Sequence, residues 1–336
     1  MLQLRVEKIE RETADTSTFY LSNVTGEKVR YKAGQFITLV FDHHHEEIRR
    51  SYSLSSSPDE DLLAVTIKRI PNGEISRFMS TKIEVGDILN AVEPAGRFLI
   101  THSEEKKDII IFAAGSGITQ VFSQLKYILK QPGQSNIVII YSNLSESSII
   151  FKKQLGEMAN THADRLKVIH LLSSEANRLN NFMAEKLAKQ HASNGLANAD
   201  FYLCGPFAYM RMLRLTLLYM GVEPQRIRKE NFVIDTVGVT PPALNYPPQK
   251  VGIAYKGEHY NIIAGENQSI LQAALQNGIR LSYSCRAGVC SACAVMCTSG
   301  KVEMARNDVL TPDDLAAGWI LTCTGHPVTE VEIVVD

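Results

Sequence analysis

Four cysteines near the end of the chain set the strongest constraint on its fold. Cys285, Cys290 and Cys293 fall in the run CRAGVCSAC, and Cys323 follows after 29 intervening residues. In the spacing C-x4-C-x2-C…C, one loop and one distant residue supply four thiolates to a plant-type [2Fe–2S] cluster. Within the loop Ala287, Gly288, Ser291 and Ala292 are small, which lets the backbone fold tightly and brings amide donors toward sulfur. The rival is a structural zinc site, but zinc usually takes C-x2-C pairs from two separate knuckles. Cys297 is a fifth candidate, contiguous with the first three. The contiguous bacterial run has two residues in its first gap and a Pro after its last Cys; here the gap is four and Thr298 follows. Ala294–Cys297 also has the pattern of a strand leaving the loop. Cys323 is therefore the expected fourth ligand.

A chain of 336 residues has room for two or three domains. The net charge of −1 provides no field for a polyanion, so no nucleic-acid partner is expected. No apolar run is long enough to span a bilayer, and no membrane association is expected. The charged, alternating stretch Met1–Arg11 is unlike a signal peptide. Six cysteines, four of them claimed by one metal motif, fit a reducing cytoplasm better than a disulfide framework.

The chain divides by pattern. Residues 1–103 hold short β-rich runs, among them Thr18–Leu21, Phe36–Phe41, Tyr52–Leu54 and Ala64–Ile70, separated by turn signals such as Pro71-Asn72-Gly73. They predict an antiparallel β-barrel. Residues 104–234 alternate buried strands with helical patterns: Asp108–Ala113, Ile137–Tyr141, Leu166–Leu172 and Phe201–Leu203 are each followed by a helix. That order predicts a doubly wound α/β domain on a parallel sheet. Residues 235–249, with Pro241, Pro242, Pro247 and Pro248, form a stiff linker. Residues 250–336 carry the cysteines, a helix near Ile270–Asn277 and β-rich ends, a small α+β unit.

Several short motifs gain weight from these positions. In Arg50-Ser51-Tyr52-Ser53 an Arg suits a pyrophosphate, a Tyr two residues on stacks on a flat ring, and a Ser donates to a ring nitrogen. A solvated Arg beside a core Tyr explains the same residues. Gly73-Glu74-Ile75-Ser76 starts a helical turn whose free amides suit a phosphate, and with it the flavin reading is favoured. Gly115-Ser116-Gly117-Ile118-Thr119 lies between a strand and a helix, where glycines let a pyrophosphate approach the backbone; a tight turn alone is the alternative. Cys204-Gly205-Pro206 closes what is expected to be the last strand of the α/β unit, at the carboxyl edge where such sheets bind ligands. A small buried Cys explains it equally well. His43-His44-His45 is expected to be a solvated loop.

Together these motifs resemble the ferredoxin–NADP reductase superfamily fused to a C-terminal plant-type ferredoxin (β-grasp) domain. Domain order and the tail Asn307-Asp308-Val309-Leu310 are most similar to reductases of multicomponent oxygenases, such as that of phenylacetyl-CoA epoxidase. The resemblance implies FAD held by Arg50, Ser51, Tyr52, Ser53, Gly73, Ile75 and Ser76. It implies NAD(P)H at Gly115, Gly117, Thr119, Cys204, Gly205 and Pro206. Glu230-Asn231-Phe232 matches the family's Glu-x-Phe, so Glu230 and Phe232 are expected beside the flavin. Ser53, Thr119, Cys204 and Glu230 would form the catalytic pocket. The implied activity is an NAD(P)H-dependent oxidoreductase passing single electrons through FAD and the cluster to a protein acceptor, a di-iron oxygenase being the expected one. Other acceptors (a hybrid-cluster protein, a desaturase, another oxygenase) and a non-catalytic metal-binding module are the alternatives. Two residues depart from the pattern: Gln120 stands where the family has Pro, and Leu144 stands where relatives carry an Arg suited to a 2′-phosphate.

Overall fold

Alternating apolar and polar residues in the first hundred positions build six antiparallel strands. They are β1 (Leu2–Thr13), β2 (Thr16–Asn23), β3 (Phe36–His43), β4 (Glu46–Ser53), β5 (Leu63–Lys68) and, after the helix α1 (Glu74–Lys82), β6 (Ile88–Ala95). The sheet order is β4-β3-β6-β1-β2-β5. Leu54, which continues β4, bridges Val65 of β5, so the two ends of the sheet meet and the barrel closes. Inward-facing Leu4, Val6, Phe19, Ile37, Leu39, Val65 and Leu89 fill it, and Ile75 and Met79 of α1 join the same core. The nine-residue α1 is the one departure from an all-β reading of this region.

In the computed structural model, residues 1–43, 46–100, 107–133, 135–232 and 245–335 are described. His44 and His45 of the histidine loop, and Pro241 and Pro242 of the expected linker, lie outside them. The chain forms two compact units, Met1–Glu230 and Asn231–Asp336.

The barrel shares the first unit with five parallel strands: β7 (Asp108–Ala114), β8 (Asn136–Asn143), β9 (Leu166–Leu172), β10 (Ala199–Cys204) and β11 (Ile227–Glu230), in the order β11-β10-β7-β8-β9. Ile109 and Ile111 of central β7 pack under α2 (Ile118–Ile128) and the start of α3 (Lys152–Thr161). Ile110 and Phe112 face α4 (Asn181–His191) and α5 (Phe207–Tyr219). Burial on both faces explains the unbroken apolar run, and helices on both faces make the sheet doubly wound. One expectation is corrected: β10 is not the last strand. Ile227-Arg228-Lys229-Glu230 adds β11 beside it in parallel, and this short, charged edge segment has no apolar run to announce it.

The second unit is a five-stranded mixed sheet, ordered β13-β12-β18-β14-β16. Its strands are β12 (Gln249–Tyr255), β13 (Glu258–Ala264), β14 (Ala294–Ser299), β16 (Trp319–Leu321) and β18 (Val331–Val335), with β15 (Val302–Met304) and β17 (Gly325–Pro327) forming a small ribbon. Helix α6 (Ile270–Gln276) begins at a Ser269–Gln272 capping box and buries Ile270, Leu271, Ala273 and Ala274 on the sheet. A short helix, α7 (Pro312–Ala316), precedes β16.

Candidate active site and cluster loop

The carboxyl ends of β7, β10 and β11 lie level, because Cys204 pairs with Ala113 on one side and Glu230 on the other. The chain leaves β7 through Gly115, whose φ of +53° favours glycine, and whose missing side chain would meet nothing within 4 Å. Gly117 is different. A Cβ there would stand 2.3 Å from the carbonyl oxygen of Cys204, so this glycine makes room for β10, not for a ligand. Gly205 likewise sits 2.9 Å, at its would-be Cβ, from the Ala114 methyl. Pro206 is exposed and caps α5, so the N-termini of α2 and α5 both open at this edge.

Buried polar groups gather here. The Ser53 hydroxyl at the end of β4 donates to Oε1 of Gln120 at 3.4 Å. The Gln120 carboxamide borders the Cys204 thiol, which donates to the Glu230 carbonyl oxygen at 3.7 Å. Burial pushes the Cys204 thiol far up, the Glu230 charge adds to this, and the Gln120 amide opposes it. Burial also lifts the Glu230 carboxyl to about 8. Thr119 turns its hydroxyl to the Ser116 carbonyl oxygen at 3.0 Å. Ser53 and Cys204 are thus joined through Gln120, and Glu230 through Cys204, with Thr119 adjacent in sequence. Phe232 belongs to the second unit and is 44% exposed.

Gln120 is part of a feature that the sequence motifs do not announce. In α2 the polar residues Gln120, Ser123 and Gln124 are all buried, at i, i+3 and i+4. They face the barrel: Ser123 donates to the Ser56 carbonyl oxygen at 2.5 Å, and Gln124 Oε1 accepts from the Ile100 amide. Lys126 pairs with Glu60 at 2.6 Å beside them. The one signal for it in the sequence is the spacing of Gln120, Ser123 and Gln124 on one face among Val121, Phe122 and Leu125.

On the barrel, Arg50 is exposed midway along β4, and Ser51 shares a 2.9 Å hydrogen bond with Thr38. Tyr52 packs on the barrel core, and burial pushes its phenol up to about 12, against the pull of Arg50. Ser76 Oγ donates to the Gly73 carbonyl oxygen at 3.1 Å and accepts from the Ile70 amide at 3.3 Å, closing the turn before α1. A Cβ on Gly73 would stand 2.3 Å from that hydroxyl. The Ile75 side chain is in the barrel core.

In the second unit Cys285 is hydrogen-bonded to Cys290 and Cys323, and Cys293 to Cys323. Hydrogen bonds from Cys290, then Cys323, push the Cys285 thiol down, and one from Cys323 lowers Cys293. The Ala287 amide also donates to Cys285 sulfur, at 3.4 Å. The loop needs its glycine: Gly288 has φ +68°, and a Cβ there would lie 2.4 Å from the Arg306 carbonyl oxygen. The distant thiol of Cys323 is brought to the loop by Thr322, whose amide and hydroxyl donate to the Cys293 carbonyl oxygen at 3.1 and 3.2 Å. Cys297, on β14, instead gives its thiol to the Ser299 carbonyl oxygen at 3.3 Å. Cys285 and Cys323 thus tie all four thiols into one group, a donor set that fits a [2Fe–2S] centre.

Three family descriptions match successive parts of the chain: an oxidoreductase FAD-binding domain over residues 3–100, an oxidoreductase NAD-binding domain over 111–215, and a 2Fe-2S iron-sulfur cluster binding domain over 253–328. The ferredoxin reductase component of 3-ketosteroid-9-alpha-monooxygenase from Rhodococcus rhodochrous is 33% identical, over 97% of this chain and 94% of its own. A 1,2-phenylacetyl-CoA epoxidase subunit from Escherichia coli is 32% identical, over 99% of this chain and 96% of its own.

The chain belongs to the ferredoxin–NADP reductase superfamily, among the oxygenase reductases with a [2Fe–2S] domain.

This reductase is an NAD(P)H-dependent oxidoreductase that carries FAD and a [2Fe–2S] cluster, of the kind that serves multicomponent oxygenases. Its fold is that of phthalate dioxygenase reductase, with a TM-score of 0.61 and 22% identity over 99% of this chain and 97% of that one. It also matches part of an intact type IV self-sufficient cytochrome P450 monooxygenase, at TM-score 0.73 and 22% identity, over 99% of this chain and 40% of that one. No helix among the described residues is long and apolar enough to cross a membrane.

Proposed function

We propose that the pocket bounded by Ser53, Thr119, Cys204 and Glu230 is where NADH delivers its hydride, and that Cys285, Cys290, Cys293 and Cys323 hold the cluster through which single electrons leave for an oxygenase component. One observation carries this reading: Ser53 of the barrel and Cys204 of the parallel sheet share a single buried neighbour, Gln120. Barrel and sheet therefore bound a common pocket, as a hydride transfer between two planar cofactors requires.

The residues divide the work by chemistry. Arg50 offers a guanidinium to a pyrophosphate, and Tyr52, two residues on, lies on the same side of β4. Gly73, with the amides of Ile75 and Ser76 at the start of α1, suits the phosphate end of FAD. Open Gly115 and the N-termini of α2 and α5, with Gly205 and Pro206, suit the nicotinamide dinucleotide, while Gly117 holds strand and helix together. Ser53 keeps a hydroxyl proton at the pocket. Cys204, held as a neutral thiol, is a wall of the pocket and not a nucleophile. Glu230 keeps its proton below about pH 8. Bound flavin converts a two-electron hydride into single electrons that a [2Fe–2S] centre accepts one at a time.

NADH is the preferred donor in this reading. At the carboxyl end of β8, Leu144 is 73% exposed where a 2′-phosphate would need a cation. Lys152 nearby is already paired with Glu146 at 2.5 Å. We assign FAD to residues 1–103, the dinucleotide to 104–234, a linker to 235–249 and the cluster to 250–336; the three family matches fall inside these limits. The six free cysteines support a reducing, cytoplasmic setting. The Asn307–Leu310 tail favours a di-iron partner of the epoxidase type, and exposed Arg286 lies on the loop such a partner would approach. Anaerobic addition of NADH to the purified holoprotein should bleach the flavin band and then the iron–sulfur bands, with NADPH acting at least tenfold more slowly. A flavin that neither nucleotide bleaches overturns the reading.

A further inference from the structure

Gln120 is 1% exposed, yet its Nε2 makes no well-formed hydrogen bond, only a weak approach to the Cys204 sulfur. An unpaired buried amide donor is costly and calls for a reason. Its Oε1 accepts from Ser53, and its carboxamide borders Cys204. The neighbouring Ser123 is bonded to the Ser56 carbonyl oxygen, and Gln124, whose Nε2 likewise has no partner, accepts from the Ile100 amide. Gln120 is the one of the three whose carboxamide reaches both Ser53 and Cys204. A Pro in its place, as in the family, carries no side-chain donor and leaves the Ser53 hydroxyl without this acceptor.

We propose that Gln120 is a positioning residue for hydride transfer: its Nε2–H donates to an acceptor atom of a planar redox ring seated between Ser53 and Cys204, while its Oε1 orients the Ser53 hydroxyl. The inference rests on the pocket reading above. The acceptor is a carbonyl oxygen or ring nitrogen, belonging either to the flavin edge or to the nicotinamide carboxamide.

Gln120→Met keeps the length of the side chain and removes both polar atoms. If the flavin is the acceptor, the oxidised holoprotein of this variant, free of nucleotide, shows a shifted visible flavin band and a shifted flavin midpoint potential, lowered where the acceptor is a ring carbonyl oxygen and raised where it is the nitrogen that gains a proton on reduction. If the nicotinamide is the acceptor, the flavin band is unmoved but the Kd for NAD+ rises about tenfold, roughly 1.4 kcal/mol. The Kd for ADP-ribose, which lacks the nicotinamide, stays as in the parent protein. Either shift supports the proposal. FAD content and Tm equal to the parent, with neither shift, overturn it. Should Gln120→Met fail to load FAD, Gln120→Pro, the residue the family accommodates there, is put to the same two measurements and judged the same way. Failure of the parent protein to bleach with either nucleotide would instead sink the pocket reading itself, which separates the two.

Discussion

The cluster loop and the nucleotide pocket differ in how far apart in sequence their parts lie. Cys285, Cys290 and Cys293 sit within nine residues of chain, and two hydrogen bonds from Thr322 bring Cys323 to them. Ser53, Gln120, Cys204 and Glu230 come instead from four segments of a barrel and a parallel sheet, and meet only because three strand ends are level. In the proposed cluster loop, each thiol is assigned as a covalent ligand that no neighbouring side chain replaces. In the pocket, function depends on backbone approach and on the burial of groups that are individually ordinary. Damage to the loop should therefore be all-or-none at a ligand, and damage to the pocket graded.

The sharpest break of that comparison is a cysteine pair. Cys323→Ser should lose nearly all iron and the iron–sulfur absorption, while NADH still bleaches the flavin. Cys297→Ser should keep the full cluster, because this thiol donates to the Ser299 carbonyl oxygen and sits on β14. Iron content and visible spectra decide it. A Cys297→Ser protein without its cluster would show that the fourth ligand comes from β14 and not from the distant segment.

The pocket's graded response is tested by two glycines two residues apart. In Gly117→Ala the new methyl meets the Cys204 backbone at 2.3 Å, so β10 or the start of α2 must shift. Overpacking of this kind costs about 2–3 kcal/mol, and the rate of flavin reduction by NADH should fall at least tenfold. Gly115→Ala meets no atom and bears only the strain of φ +53°, about 1 kcal/mol. Holoprotein Tm and stopped-flow reduction rates separate the two. Equal losses would mean that the loop's openness to ligand, not its packing against β10, governs the site.

The same contrast explains which parts of the molecule are legible in its sequence. Cysteine spacing carries the cluster site almost entirely, because its geometry is local. Apolar runs such as Ile137–Tyr141 mark strands accurately, since burial on both faces leaves no polar position. β11 is hidden because an edge strand of four residues, three of them charged, has no such run. Gly117 reads in sequence as room for a pyrophosphate, and in the fold it is room for a carbonyl oxygen. No sequence pattern distinguishes these, because both ask for a missing side chain. Gln120 stands out as an oddity, but its neighbours Ser53 and Cys204 lie 67 and 84 positions away, and only the sheet topology brings them to it.

Glu230 offers the smallest effect and the most direct measure of how dry the pocket is. Burial raises its carboxyl from the ordinary 4.5 to about 8, so the folded protein holds this proton where the unfolded chain has released it. Between those values the folded state binds more protons than the unfolded, and stability falls as pH rises, the loss being complete above about 8. From pH 6.5 to 8.5 this one group should remove about 2 kcal/mol. Its partner in the β10–β11 pairing, Cys204, stays a neutral thiol over that range and does not mask the slope. Glu230→Gln keeps the shape and cannot ionise, so the Tm of its holoprotein should decline less than the parent's over the same interval. Identical declines would mean that water or a cation reaches Glu230 in solution, and the pocket would then be far wetter than the cluster loop.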